Sequence, residues 1–72
     1  MRKGIRDLKK GDKFKFEVGD FDKYVTMELD HLEEDSSNLV VWGTVLATDL
    51  IITKVGKYDS AKFSYYETVE VL

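Results

Sequence analysis

The sequence predicts a small all-β domain, either a five-stranded barrel or a strongly bent antiparallel sheet, with little or no helix. Several short segments are rich in β-branched and aromatic residues, and apolar and polar residues alternate within them. Glycines and Asp/Ser/Asn clusters separate these segments at close spacing, as in small barrels. The 72 residues contain no proline and no cysteine. We therefore expect one domain over residues 1–72 without disulfide bonds.

The first strand is predicted in the segment KFKFEV, residues 13–18, which follows an entry turn at KKGD. Phe14 and Phe16 fall on one face of such a strand, and Lys13 and Lys15 fall on the other. A period of two is typical of a strand that buries one face. The phenylalanines are therefore expected in the core and the lysines in water. The segment GDFD is expected to turn the chain after this strand.

The segment KYVTMELDHLEED fits two patterns. As a strand it places His31 on the inward face with Val25 and Leu29, whereas Val25, Leu29 and Leu32 also form a helical stripe. We favour a strand, because the segment opens with Tyr-Val-Thr and lacks an obvious capping box. A helix over residues 24–34 is the alternative.

The rest of the chain is predicted to form three more strands. A hydrated loop at EEDSSN precedes the apolar segments LVVWGTVL and LIITKV, which ATD separates. Gly43, inside the first of these, indicates a bulge or a sharp bend. After a turn at GKYDS, the last strand AKFSYYETVEVL has Phe63 and Val69 in one phase. Glu67 breaks that phase, so a bulge or short turn is expected near YYET.

Charge is unevenly distributed along the chain, whose formal net charge is −3. Residues 1–16 carry seven basic and two acidic side chains, and residues 17–35 carry one basic and eight acidic side chains. Such asymmetry can steer a partner or match one copy of the molecule to another. Overall acidity argues against a dedicated duplex-binding protein, which is usually basic as a whole.

Catalysis and metal binding have little support in the sequence. His31 is the one histidine, no cysteine is present, and no serine lies in a nucleophile motif. The acidic turns DFD and EEDSSN lack the spacing of a calcium loop, and zinc would need Cys or further His ligands. We therefore expect no enzyme activity, no cofactor and no metal site.

Protein binding is the function that the sequence favours, as an interaction or accessory module that recognises another protein or a second copy of itself. Tyrosine and tryptophan are common in interfaces, because they offer large, stiff surfaces with a polar tip. Trp42 and Phe63 are expected in the core, whereas Tyr66 is the best single candidate for a contact. The partner-binding candidates come from an exposed aromatic strand and an acidic loop: Tyr58, Tyr65, Tyr66, Glu33, Glu34 and Asp35.

Single-stranded nucleic acid is the alternative partner, since small β-barrels stack bases on aromatic residues beside a basic groove. The candidate residues are Lys13, Lys15, Lys57, Lys62 and Tyr66. Against this hypothesis, Glu28 and Asp30 would lie beside the first two of these lysines as cross-strand partners. A further alternative is a decoy in which the acidic cluster at 28–35 imitates the phosphates of nucleic acid.

The amino-terminal segment MRKGIR lacks the apolar stretch that would make it a signal peptide. The longest mostly apolar segment, LVVWGTVLATDLII, is too short and too polar to span a bilayer. We therefore expect a cytoplasmic protein that does not associate with membranes.

Both ends of the chain resemble a known group of proteins. The segment DLKKGDKFKF at 7–16 resembles the opening of small SH3-like barrel domains in bacterial proteins and phage-encoded small proteins, and ETVEVL at 67–72 is similar to their closing strand. In that pattern a glycine-aspartate turn launches the first barrel strand and the final strand closes the barrel. The resemblance implies an SH3-like fold of bacterial or phage origin. It implies no particular function, because functions in this group are diverse.

Overall fold

Six antiparallel strands form a single sheet in the computed structural model, which describes residues 1–18, 23–50 and 53–72. The strands are β1 (Arg2–Gly4), β2 (Lys13–Val18), β3 (Lys23–Asp35), β4 (Asn38–Thr48), β5 (Tyr58–Ser64) and β6 (Thr68–Val71). Within these ranges the one helical element is a 3-10 turn at Ile5–Asp7, and no described helix has the length and apolar character to cross a bilayer. The all-β prediction is confirmed, with six strands where five were predicted.

The strand order in the sheet is β1-β6-β2-β3-β4-β5. Strands β2 to β5 form a meander, and β6 returns to lie between β1 and β2. The Phe16 and Phe63 rings lie 5.0 Å apart, centroid to centroid, although they belong to the separated strands β2 and β5. The sheet is therefore strongly curved around its inner face. No pairing among the described residues joins its two edges, β1 and β5, so the described sheet is not closed.

One face of the curved sheet carries the hydrophobic core. Phe14 is fully buried, and Phe16 and Phe63 pack against the core from its margin, as the alternation predicts. The 3-10 turn contributes Ile5, which is also fully buried. The core residues are Ile5, Leu8, Phe14, Val25, Met27, Leu29, Leu39, Val41, Val45 and Val69.

Strand β3 runs through the whole segment for which the sequence left strand and helix open, so the helical alternative is wrong. Its pairing with β4 shifts register twice, between Thr26 and Met27 and between Leu29 and His31. Gly43 of β4 pairs with Leu29 at the second shift, which confirms the irregularity predicted there. A Cβ atom on Gly43 would overlap the carbonyl oxygen of Glu28, so only glycine allows the two strands to approach this closely.

The second register shift corrects one side-chain prediction. His31 was expected to face inward with Leu29, but it is exposed. A bulge adds one residue to a strand and reverses the phase of everything after it. Leu32, which the simple alternation places outward, instead packs against the core.

Several boundaries also differ from the predictions. The acidic residues 33–35 belong to β3, so the loop predicted at EEDSSN is reduced to a turn at Ser36 and Ser37. Strand β5 begins at Tyr58, inside the turn predicted at GKYDS. In the predicted strand LIITKV, residues 53–55 are not in a strand, and residues 51–52 lie outside the described residues. The turn predicted at GDFD, residues 19–22, also lies outside them.

The carboxyl-terminal segment divides into two strands. A turn at Tyr65 and Tyr66 separates β5 from β6, which confirms the break predicted near YYET. The short strand β1 was not predicted.

Candidate functional site

Three aromatic rings stack on the outer face of β3, β4 and β5, which is the face away from the core. The ring centroids of His31 and Trp42 lie 6.1 Å apart with an interplanar angle of 10°, and those of Trp42 and Tyr58 lie 5.9 Å apart at 21°. His31 and Trp42 are direct cross-strand partners, and Tyr58 lies diagonally across from Trp42 on β5. We call these three residues the aromatic strip.

Trp42 was expected in the core, and that prediction is wrong. Along β4 the buried positions include Val41, Gly43 and Val45, so the intervening residues face outward. Trp42 is half-buried on this outer face, between the other two rings of the strip. Its indole N–H has no hydrogen-bond acceptor among the described residues.

Two carboxylates, those of Asp30 and Glu33, contact the polar atoms of the His31 and Tyr58 rings. The Tyr58 hydroxyl donates to Oδ2 of Asp30 at 2.8 Å, and Nδ1 of His31 lies 2.8 Å from the same oxygen. On the other side of the imidazole, Nε2 lies 3.0 Å from Oε1 of Glu33. Carboxylates only accept hydrogen bonds when ionised, so both contacts are hydrogen bonds when His31 carries a proton on each ring nitrogen.

The same contacts shift three pKa values. The hydrogen bond to Asp30, and then that to Glu33, raises the pKa of His31 above its ordinary value of 6.5. The hydrogen bond from His31, and then that from Tyr58, lowers the pKa of Asp30. The bond to Asp30 raises the pKa of Tyr58. The arrangement therefore favours a protonated imidazole beside an ionised Asp30.

A second surface lies at the turn between β5 and β6. The guanidinium carbon of Arg6 lies 4.8 Å from the ring centroid of Tyr65 and 5.3 Å from that of Tyr66. Tyr66 is 79% exposed, in agreement with the sequence-based expectation that it faces solvent. We call Arg6, Tyr65 and Tyr66 the tyrosine turn. A shallow cavity of about 230 Å³ adjoins it, lined by Arg6, Leu32, Glu33, Glu34, Leu39 and Tyr65.

The predicted partner-binding residues divide between these two surfaces. Tyr65, Glu33 and Glu34 meet around the cavity at the tyrosine turn, and Tyr66 lies next to them. Tyr58 belongs to the aromatic strip. Asp35 is ion-paired with Lys62 of β5, with 2.9 Å between Oδ2 and Nζ.

The lysines proposed for nucleic-acid binding are separated, and each has a neighbour of its own. Lys13 lies opposite Glu28 in the β2–β3 register, as predicted, whereas Lys15 lies opposite Thr26 rather than an acid. Nζ of Lys15 lies 4.5 Å from the centroid of the Tyr24 ring. Two ion pairs complete the set: Lys57 with Asp59 at 3.5 Å and Lys62 with Asp35 at 2.9 Å.

The described residues contain no group of three or more His, Asp or Glu side chains arranged to hold a metal ion. Four members of the two surfaces were not predicted from the sequence: His31, Trp42, Asp30 and Arg6. Gly43 is the feature of the sequence that could have indicated the position of His31, because a bulge opposite this glycine changes which residues of β3 face outward.

Comparison of the chain with protein-family models, with curated proteins and with solved structures finds no match. Its function is therefore inferred from the contacts and charges of its own residues.

Proposed function

We propose that the protein is a non-enzymatic protein-interaction module that binds its partner through the aromatic strip and the carboxylates beside it. The observation that carries this proposal is the stack of three rings on the outer face of the sheet. Outer-face rings contribute little to the core, whereas aromatic side chains with polar edges are frequent anchors of protein interfaces.

The position of the strip on paired strands favours binding. His31 and Trp42 lie on β3 and β4, which pair along most of their length, and Tyr58 is tied to Asp30 through its hydroxyl group. Side chains held in this way lose little conformational freedom when a partner binds. Preorganisation of this kind is expected in a binding surface.

The tyrosine turn provides a second contact area for the same partner. Glu33 connects the two surfaces, because its carboxylate contacts His31 of the strip and Glu33 is also one of the residues that line the cavity beside Tyr65. Tyr66 extends the surface into solvent. The partner would then contact an acidic and aromatic surface that runs from Tyr58 towards Tyr66.

The charges around the rings argue against single-stranded nucleic acid as the partner. Asp30 and Glu33 directly adjoin the aromatic strip, and carboxylates there repel a phosphate backbone. The lysines of that alternative lie apart and beside other groups. The acidic residues of the decoy alternative are not a cluster of phosphate-like charges alone, because among the described residues they contact a histidine, a tyrosine and a lysine.

For the fold, we propose an open relative of the SH3-like barrels, from a bacterial or phage protein that works in the cytoplasm. Two observations bear on this relationship. Gly11 and Asp12 come directly before β2, and β6, at the end of the chain, pairs with that same strand. The glycine-aspartate turn before the strand corresponds to the pattern of those domains, whereas β6 pairs with β1 and β2 without closing the described sheet into a barrel.

Capture and reconstitution test the proposed function. The immobilised protein is used to enrich partners from bacterial extract, and each candidate is purified and its affinity measured directly. The variant Tyr58→Ala should weaken binding by about tenfold or more, because it removes one ring and frees Asp30. Tyr66→Ala should weaken binding by a smaller factor. Leu72→Ala, an exposed apolar control that belongs to neither surface, should leave binding unchanged.

Two results would contradict the proposal. One is a reconstituted complex whose affinity is unchanged by Tyr58→Ala while the variant remains folded. The other is tight, steeply salt-dependent binding of a labelled single-stranded oligonucleotide, which would support the nucleic-acid alternative instead.

A further inference from the structure

His31 is held on the outer face in the way that a bound arginine side chain would be held. Its planar ring lies nearly parallel to Trp42, with an interplanar angle of 10°. Its two nitrogens approach one carboxylate on each side, Asp30 at 2.8 Å and Glu33 at 3.0 Å. A planar cation that stacks on an aromatic ring and donates to carboxylates is the chemistry by which proteins recognise guanidinium groups.

The other cationic side chains that the structure describes nearby do not compete with His31 for Asp30 and Glu33. Of the other cationic groups nearby, Lys62 is engaged with Asp35, and Lys10 acts on Asp30 only through its field. Tyr58 of β5 donates to Asp30, and β4 contributes the uncharged Trp42. Among the described residues, His31 is therefore the one cationic side chain in hydrogen-bond contact with both Asp30 and Glu33.

Building on the proposed function, we propose that the aromatic strip binds an arginine side chain of the partner protein in the position that His31 occupies. The guanidinium would stack on Trp42 and donate to Asp30 and Glu33, displacing the imidazole. Lysine fits this position less well, because its ammonium group has no plane to stack on the indole.

The proposal makes arginine binding dependent on pH. A protonated imidazole competes with the guanidinium for the two carboxylates, because it donates to both of them. A neutral imidazole has one N–H and one lone pair, so it donates to only one carboxylate and leaves the other free. Arginine stays charged throughout this range. Arginine binding should therefore strengthen as the pH rises through the pKa of His31.

Peptide titration tests this inference. A short blocked peptide with one arginine between glycines is the probe, and the same peptide with citrulline, the neutral analogue, is its control. Trp42 is the chain's one tryptophan, so its indole NMR signal and its fluorescence report directly on the site. Four proteins are compared over a pH series that starts at about pH 6, below the ordinary pKa of histidine, and rises until binding no longer changes: wild type, His31→Ala, Asp30→Asn and Glu17→Gln. Glu17 is an exposed β2 carboxylate, so its variant matches the charge change of Asp30→Asn.

At about pH 6, His31→Ala should bind the arginine peptide about tenfold tighter than wild type, since it removes the competing cation. The difference between the two proteins in affinity for the peptide should narrow as the pH rises through the raised pKa of His31, because the wild-type imidazole then loses its charge. Asp30→Asn should weaken binding by about fivefold or more, Glu17→Gln should not, and the citrulline peptide should not shift the Trp42 signal.

The inference is overturned if folded His31→Ala binds the arginine peptide no better than wild type, or if the citrulline peptide binds equally well. Signal changes confined to the tyrosine turn would also overturn it. If His31→Ala does not fold, the pH dependence of wild-type binding decides, because that measurement needs no substitution. Failure with the peptide while a reconstituted partner still depends on Tyr58 would leave the proposed function intact and reject arginine as the group bound.

Discussion

His31 makes both the ring stacking and the charged contacts of the outer face. Its imidazole stacks on Trp42 and touches Asp30 and Glu33. The pKa of His31 is raised and that of Asp30 is lowered by the hydrogen bond between them. Each shift means that the charged form is favoured when the protein is folded.

These shifts predict how stability depends on pH. Because the pKa of His31 is raised on folding, its contribution is fully present below its unfolded value of about 6.5 and is lost as the pH rises through the folded value. The pKa of Asp30 is lowered on folding, so its contribution is present above its unfolded value and is lost as the pH falls through the folded value. Urea unfolding over a pH series should show a small maximum in the free energy of unfolding, between the pH at which Asp30 becomes protonated and the pH at which His31 loses its charge.

Direct titration of the His31 ring by NMR checks the cause. Asp30→Asn should return the pKa of His31 towards its ordinary value, because it removes the first of its two carboxylate partners. Glu17→Gln changes the net charge equally without touching the ring and should have little effect. Equal titration curves for wild type and Asp30→Asn would contradict this account.

Single side chains were predictable from the sequence where alternation was undisturbed. Phe14 and Lys13 occupy the faces that the period of two assigns to them. His31 and Trp42 were not predictable, for two different reasons. His31 follows a bulge that reverses the phase, and Trp42 lies in a segment so uniformly apolar that either phase could face the core.

The bulged pair of β3 and β4 determines which side chains form the aromatic strip. The register shift after Leu29 brings His31 opposite Trp42 and leaves Asp30 unpaired between them. Gly43 allows this shift, because its missing side chain leaves room for the backbone of Glu28. In a regular strand without the bulge, His31 would face the core.

Gly43→Ala should therefore destabilise the protein by about 2–3 kcal/mol, since the added methyl group meets backbone rather than a movable side chain. Gly4→Ala is the matched control. A Cβ there would lie 3.2 Å from Oδ2 of the exposed Asp7, so it should cost less than about 1 kcal/mol. Urea denaturation of both variants checks the difference, and equal stabilities would argue against the close approach at Gly43.

Strand boundaries that depend on distant partners could not be predicted. Strand β1 has only three residues, and it exists as a strand because β6 pairs with it from the other end of the chain. Residues 53–55 have the composition of a strand but lie in a bend and a turn before β5. Local composition contains neither the pairing of β1 nor the place where β5 begins.

The two ends of the chain pair with each other in the sheet, and this pairing contributes to the stability of the fold. Strand β6 pairs with β1 on one side and β2 on the other. Ile5 also donates its backbone N–H to the carbonyl of Glu67 at 2.9 Å. A small domain buries a limited core, so the loss of one central side chain is a large fraction of its stability.

Val69, which is 1% exposed in β6, should therefore be sensitive to truncation. Val69→Ala is expected to lower the free energy of unfolding by about 2–3 kcal/mol, through lost burial and the cavity that remains. Val55→Ala makes the same chemical change at a site that is 66% exposed and should stay within about 0.5 kcal/mol of wild type. Thermal and urea unfolding measure the stability of both variants. A Val69→Ala protein as stable as wild type would contradict the burial of the Val69 side chain in the core.

The basic and acidic segments identified in the sequence lie next to one another in the folded chain. Lys3 pairs with Asp12 within the basic segment at 3.8 Å, Lys13 lies opposite Glu28, and Arg6 shares a cavity with Glu34. The charge asymmetry of the sequence therefore becomes a set of local contacts. The carboxylates of the aromatic strip remain on the outer face, where a partner can reach them.

An NMR footprint of the bound partner on the isotope-labelled protein tests directly whether the aromatic strip is the binding face. A purified partner should shift or broaden the indole signal of Trp42 and the amide signals of His31 and Tyr58, because these residues form the proposed binding face. Signals of Lys13 and Lys15 on β2 should change little. A footprint on β1, β6 and β2 with the aromatic strip unchanged would contradict the claim.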